Sequence, residues 1–562
     1  MRNLRFPIPR LLAVIFTVFA VWLPAQSNAQ NHDRDRLVIG ISQFPSTLHP
    51  SFDSMLAKEY VNAMARRKIT VYDHDWKVTC LLCTDLPDLA KRSARYEKTP
   101  DGKDGMALDY ALDPRAVWGD GTPITTKDVL FTWDVGRHPE TGTDSSELYR
   151  RILSIDVHDD HRFTLHMDRR SCDYQGLADF NLLPAHLESG VFEPAADYRK
   201  RTLYDRDPAN PGLWYGPYRV TQVNPGASIV LEPNPLWWGK KPYFKQIVVR
   251  TIENTAALVA NLLAGDIDMI DGATGLSIDQ ALSFEKRHGE DYQVIYKPGL
   301  IYEHLDVALN NPILSDVRVR RALLHGIDRQ AISERLFAGK QPVAHGQTNP
   351  LDSVYYGDGP KYTYDPSKAA QMLDEAGWPM GAGGIRRNAD GTALQFDLMT
   401  TAGNKSRELV QQVLQSQWKE LGIDVTIRNE PARVFFGETV SKRKFTGLAM
   451  FAWFSAPQSI PRSTLHSEMI PTEENAWAGQ NYTGYASDRM DKTLDDLELV
   501  CEPEANRKLW EEMQTLYAED LPALPLYFRA NSYILPTWLK GVRPTGHQYP
   551  STNWVEEWTV TE

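Results

Sequence analysis

Several residue groups in this chain have types and spacings that chemistry could use. Cys80 and Cys83, in "TCLLCTD", stand as a redox dithiol or half a zinc site would. A redox motif would need a βαβ setting around the pair, and zinc would need a second close pair of Cys or His. Neither is found, so a structural disulfide is expected, within the pair or to the distant Cys172 and Cys501. His158, Asp159, Asp160 and His161 resemble metal ligands in isolation. They fall in the middle of "ILSIDVHDDHRFTLHMD", whose alternation on either side of the acids predicts a β-hairpin with these residues at its solvated turn. His304 beside Glu303, and His466 near Ser463, could be imagined as base and nucleophile of a secreted hydrolase. Triads usually draw on distant segments rather than on such neighbours.

The motifs that would mark an enzyme are missing. There is no G-x-S-x-G elbow, no H-E-x-x-H, no phosphate loop and no dinucleotide fingerprint. "GDGTP" lacks the lysine of a phosphate cradle, and "YDRDPANPG" lacks the glutamate that closes a calcium loop. No catalytic residue, metal ligand set or cofactor is therefore assigned. The remaining stretch of interest is "FAWFSAPQSIPRS", residues 451–463, with three aromatic side chains, two prolines and no charge before Arg462. It suits a buried strand or a pocket wall.

The elements that would position such a wall follow from the whole chain. At 562 residues it exceeds one hydrophobic core, and several domains are expected. "MRNLRFPIPR", an apolar run of thirteen residues and small residues at Ser27 and Ala29 have the order of a cleavable secretory signal, cut after Ala29. No cysteine follows the run to carry a lipid. The net charge of −12 argues against nucleic acid or an anionic membrane as partner. "WGDGTPITTKDVLFTW" predicts a tight turn and a helix opened by a Thr125–Asp128 capping box. "GPYRVTQVNPGASIVLEP" predicts a hairpin turning at Asn224–Gly226, and "TAALVANLLAGDIDMI" a helix stopping at Gly265. "SDVRVRRALLHGIDRQAISERLFAG" predicts a long helix or helix pair capped by Ser315 or Asp316. "YDPSKAAQMLDEAGW" predicts a helix capped by Asp365 and stopped by Gly377. Strand and helix alternate through most of the chain, which predicts α/β lobes with mixed sheets.

In order along the chain, these blocks resemble the family 5 extracellular solute-binding proteins of ABC importers, the group of oligopeptide, dipeptide and nickel binders. The likeness is carried by "WGDGTPITTKDVLFTW", "GPYRVTQVNPGASIVLEPNPLWWGKKPYF", "LAGDIDMI", "NNPILSDVRVRRALLHGIDRQAI", "YDPSKAAQMLDEAGW" and "LYAEDLPALPLYF". It implies an α/β bilobal periplasmic-binding-protein clam-shell of the type II, three-domain variant. Residues 1–29 would be the signal peptide. Lobe I would combine 30–70, 183–298 and 532–562, the family's extra domain would span 71–182, and lobe II 299–531. It further implies a binding component rather than an enzyme, with no cofactor, acting as a monomer in the periplasm and delivering solute to an inner-membrane permease and its ATPase.

For the site, the resemblance implies that residues 451–463 line the cleft, with Trp453 packing on the ligand. Where the family's peptide binders carry an Asp for the peptide α-ammonium, this chain has Ser455 to Ser459, including Gln458. Glu303, with Asp306 after it, is the expected replacement, and His304 lies beside it. Arg462 could meet a ligand carboxylate. Trp477, Asn481 and Tyr482 suit amide pairing and stacking, and Gln43, Phe44 and Ser46 would face the cleft from the small lobe. Peptide is the leading ligand. A sugar, an opine-like compound or a nickel chelate is the alternative.

Overall fold

The computed structural model describes residues 34–52, 55–143, 146–357, 359–431, 434–474 and 479–561. The signal region and Trp477 lie outside the described residues. One ten-stranded mixed sheet runs through the molecule. Its order is Asp424–Ile427, Gln395–Met399, Leu448–Phe454, Tyr292–Val307, Ala523–Pro536, Met269–Ile270, Arg36–Ile41, Gln246–Thr251, Ser228–Pro233 and Tyr218–Asn224. The first three strands belong to one half of the molecule and the last five to the other. Only the two long strands at positions four and five serve both halves.

These two crossing strands pair antiparallel along most of their length. Their packing changes midway. Leu524, Leu526 and Ala530 enter one hydrophobic core with Leu305, Val307, Trp418 and Leu448. Tyr533 and Leu535 enter the other, with Leu37, Ile39, Trp214 and Trp558. At the change the register slips. Pro298 pairs with Ala530 and Ile301 with Arg529, so Gly299 and Leu300 bulge from the first strand without a partner on the second. A bulge bends a strand and increases its twist locally.

A third unit is built on an antiparallel sheet of Ala94–Lys98, Asp104–Ala111, Arg162–Met167 and Ile152–Val157. Trp118, Tyr110, Phe163 and Tyr215 fill its core. The "WGDGTPITTKD" block is a local framework. Gly121 takes the left-handed φ of +93°, and Thr125 with Asp128 forms the capping box of helix Thr126–Arg137. The buried Asp128 also accepts the indole N–H of Trp118 at 3.3 Å and the amide of Ala185 at 2.9 Å, tying the helix to two other segments. At the tip of the hairpin, Asp159 accepts the amides of His161 and Arg162, as a turn-forming acid does.

The turn and cap residues read from sequence perform those tasks. Gly226, Gly265 and Gly377 adopt positive φ at the hairpin turn and the two helix ends. The long amphipathic segment is a pair of helices, Val317–His325 capped by Asp316 and Arg329–Phe337 capped by Asp328. The cysteines pair as Cys80–Cys83 and Cys172–Cys501. Among the described residues no helix is long and apolar enough to cross a membrane.

Candidate functional site

Between the halves lies a cleft of three communicating spaces. The first, about 880 Å³, is walled by Trp453, Ser455, Ser459, Asp352 and Gln480. The second, about 1480 Å³, is shared by both halves: Lys58, Asp179 and Tyr549 face Arg407, Phe436 and Phe454. The third, about 1010 Å³, lies between Gly272–Ile278 and the crossing strands. Phe454 and Gln548 border the first and second spaces, and Ile301, Arg407 and Arg529 the second and third. The halves also touch directly. Ala456 packs on a cluster that contains Tyr72, Ala178 and Tyr549.

Trp453 reaches the cleft because it sits at the end of strand Leu448–Phe454, where the chain leaves the sheet. Its ring is fixed from behind by Phe451 at 5.2 Å and Tyr482 at 5.6 Å. Aromatic packing of this kind holds a flat apolar surface toward the space at little entropic cost. Ser455 lines the same space, and Tyr482 supports Trp453 from behind.

The remaining expected residues are engaged differently or placed elsewhere. Glu303 borders the third space, but as a counter-ion: its carboxylate accepts Nε of Arg407 at 2.5 Å and Nη2 at 3.2 Å, and its side chain is 2% exposed. Burial would raise its pKa, but the Arg407 guanidinium, with Arg529 behind it, holds it below the usual value. A carboxylate bound this way does not offer itself to an ammonium. His304 is buried against Phe451, with Nε2 at 3.1 Å from Asp306, so it does not face the cleft. Asn481 is buried and holds its own loop, donating to the carbonyls of His466 and Tyr485. Arg462 is committed to the carboxylates of Asp495 and Glu468 on the outer helices. The exposed Gln458 bonds to the 352–353 turn through its amide and side chain. Gln43 and Ser46 are exposed and Phe44 packs on the core, so this side of the cleft is formed by Pro50, Met55 and Lys58 instead.

The carboxylate on the same space as Trp453 comes from a segment that carried no sequence signal. Asp352, in the turn "NPLDSV", lines the first space and accepts the amide of Gln458 at 2.8 Å. Among the described residues bordering that space it is the sole acid. Burial raises its pKa above the usual carboxylate value, and the amides of Gln458, Val354 and Ser353 offset this only in part. Among the described residues the first space therefore has an acid and no cation, whereas the second and third hold Arg407 and Arg529 together with Glu59, Asp179 and Glu303. Arg529 did have a signal, a single charge inside the apolar run "LPALPLYFRANSYILP".

The model of the bacterial extracellular solute-binding proteins, family 5 Middle, matches residues 87–467. The oligopeptide-binding protein AppA of Bacillus subtilis is 24% identical over 549 residues, covering 95% of each chain. The oligopeptide-binding protein of Thermus thermophilus, solved in complex with a pentapeptide, has a TM-score of 0.72 and 29% identity, over 93% of this chain and 96% of that one. NikZ from Campylobacter jejuni, solved with Ni(L-His), shares the fold at a TM-score of 0.74 and 19% identity, covering 94% and 99%.

Proposed function

The chain belongs to the bacterial extracellular solute-binding proteins of family 5, and from that membership we propose that it captures peptides in the interlobe cleft and presents them to an ABC permease. The observation that carries this reading is the cleft itself. It is a continuous space between two halves joined by two strands, with an aromatic wall at Trp453, Asp352 in the first space, and Arg407 and Arg529 among charges of both signs in the second and third. A zwitterionic chain with apolar side groups is complementary to such a space. Roomy, partly hydrated cavities tolerate varied side chains while polar groups read the backbone. Asp352 takes the part of the ammonium partner. The protein works as a monomer in the periplasm after cleavage behind Ala29, with an inner-membrane permease and its ATPase as partners, and performs no covalent chemistry. The lobes are residues 30–70, 183–298 and 532–562 on one side and 299–531 on the other, with 71–182 as the extra domain. The buried positions of His304 and His466 weigh against a hydrolase built on either.

Native mass spectrometry of protein purified without denaturation from the periplasm tests the reading. A ladder of adducts with short-peptide masses is expected. A single non-peptide adduct would replace peptide with a sugar, an opine-like compound or a chelate as the cargo.

A further inference from the structure

The cationic side chains of the cleft are not equally engaged. Lys58 donates to the carbonyls of Pro50 and Phe52, and Lys68 pairs with Glu59 at 2.9 Å. Arg407 is bound to both oxygens of Glu303. Arg529 differs. It borders both the second and third spaces, its side chain is 41% exposed, and its guanidinium donates no hydrogen bond among the described residues. Its nearest carboxylate oxygen, Oε2 of Glu303, is 3.9 Å away and already accepts from Arg407. Two guanidinium groups thus share one carboxylate, which leaves this three-residue cluster one positive charge in excess, with Lys58, Lys68, Glu59 and Asp179 also bordering the second space.

That arrangement is costly once the cleft fills and excludes water, because a desolvated cation needs a counter-charge and acceptors for its N–H groups. We infer that Arg529 is the anchor for a carboxylate of the ligand, with the Glu303–Arg407 pair as the rigid base that keeps the site cationic. The guanidinium fork matches a carboxylate with two parallel hydrogen bonds, a geometry a lysine could not reproduce. Phe454 borders both this region and the space of Asp352. The two charged sites therefore form the opposite ends of one ligand path, and a peptide would run with its amino end at Asp352 and its carboxyl end at Arg529. This inference rests on the peptide reading given above.

The test uses degenerate pools of five-residue peptides and isothermal titration on the mature protein. One pool lacks Asp and Glu and has free C-termini, a second is its C-terminal amide, and a third is amidated with one internal Glu. Wild type is expected to bind the free acids roughly tenfold or more tightly than the amides. Arg529→Gln should abolish that advantage, and Arg529→Lys should retain only part of it, with melting temperatures close to wild type. If the Glu-containing amides carry the Arg529-dependent advantage instead, the anchored carboxylate is a side chain. Equal binding of all pools by wild type, or an advantage that survives Arg529→Gln, would overturn the inference while leaving peptide capture intact. Binding of none of the pools would remove the peptide reading and the inference with it.

Discussion

Glu303 and Arg407 illustrate how one buried pair sets local chemistry. Both side chains are at most 10% exposed, so removing the carboxylate leaves a guanidinium without its counter-charge. Glu303→Gln is expected to cost about 3 kcal/mol in urea unfolding at pH 7. The pH dependence has a definite sign. Because the folded-state pKa lies below the ordinary 4.5, the pair's stabilisation is fully present above that pH and is lost as pH falls through the depressed value. The gap between wild type and variant should therefore close below pH 4.5, and a constant gap would show that the pair is not ionised as described. Asp352 makes a different prediction. Asp352→Asn should weaken binding of peptides with free amino ends by about tenfold and leave N-acetylated ones unaffected. A variant that melts early instead would assign Asp352 to the loop alone. In sequence, the aromatics of residues 451–463 suited a strand or a wall equally, and it was the family resemblance that singled out Trp453. Asp352 was not legible, because an Asp in a turn looks the same whether it faces solvent or a cleft.

At the scale of elements, the crossing strands decide how the halves can move. The bulge at Gly299 and Leu300 lies against the 545–547 loop. Leu300 donates to the carbonyl of Gly546 at 2.9 Å, and Asn349 donates to the carbonyl of Gly299 at 2.7 Å. A Cβ on Gly299 would come within 2.4 Å of the Gly546 carbonyl oxygen, so backbone would have to shift. Gly299→Ala should lower stability by about 1–3 kcal/mol. It should also reduce the ligand-induced change in radius of gyration measured by small-angle scattering. An unchanged response would place the bend elsewhere. Helix caps and hairpin turns were legible because each depends on a few adjacent residues. The slip in register was not, because it depends on a partner strand more than two hundred residues away.

At the scale of the molecule, the crossing strands are not the only covalent connection between its units. Cys172 belongs to the segment that packs on the third unit, and Cys501 joins helices Asp488–Leu499 and Pro503–Asp520 of the other half. The bridge spans 329 residues of sequence, against 3 for Cys80–Cys83. Long closed loops restrict the unfolded chain most, and the long bridge should contribute about 6 kcal/mol on a chain-entropy basis. It also links the third unit covalently to the half that holds these two helices. Replacing Cys172 and Cys501 by Ser should therefore increase the open population and accelerate ligand release in stopped-flow experiments, whereas the same change at Cys80 and Cys83 should not. Equal off-rates for wild type and both variants would show that the tether does not limit opening.

The sequence by itself determined the local architecture and the family: turns at Gly121 and Gly226, the Thr125–Asp128 cap, the helix stops, and the ordered blocks that mark a solute-binding protein. These are encoded over short spans, where neighbouring side chains and backbone conformation suffice. Only the tertiary structure decided which charges meet. It placed Glu303 on Arg407, turned Arg462 outward to Asp495, brought Asp352 to Trp453 and left Arg529 without a partner of its own. An ionisable side chain has the same sequence signature in a core pair, on a surface and in a cleft. Its role is settled by the oppositely charged group that folding brings within a few ångströms, and that distance is not written in its neighbours.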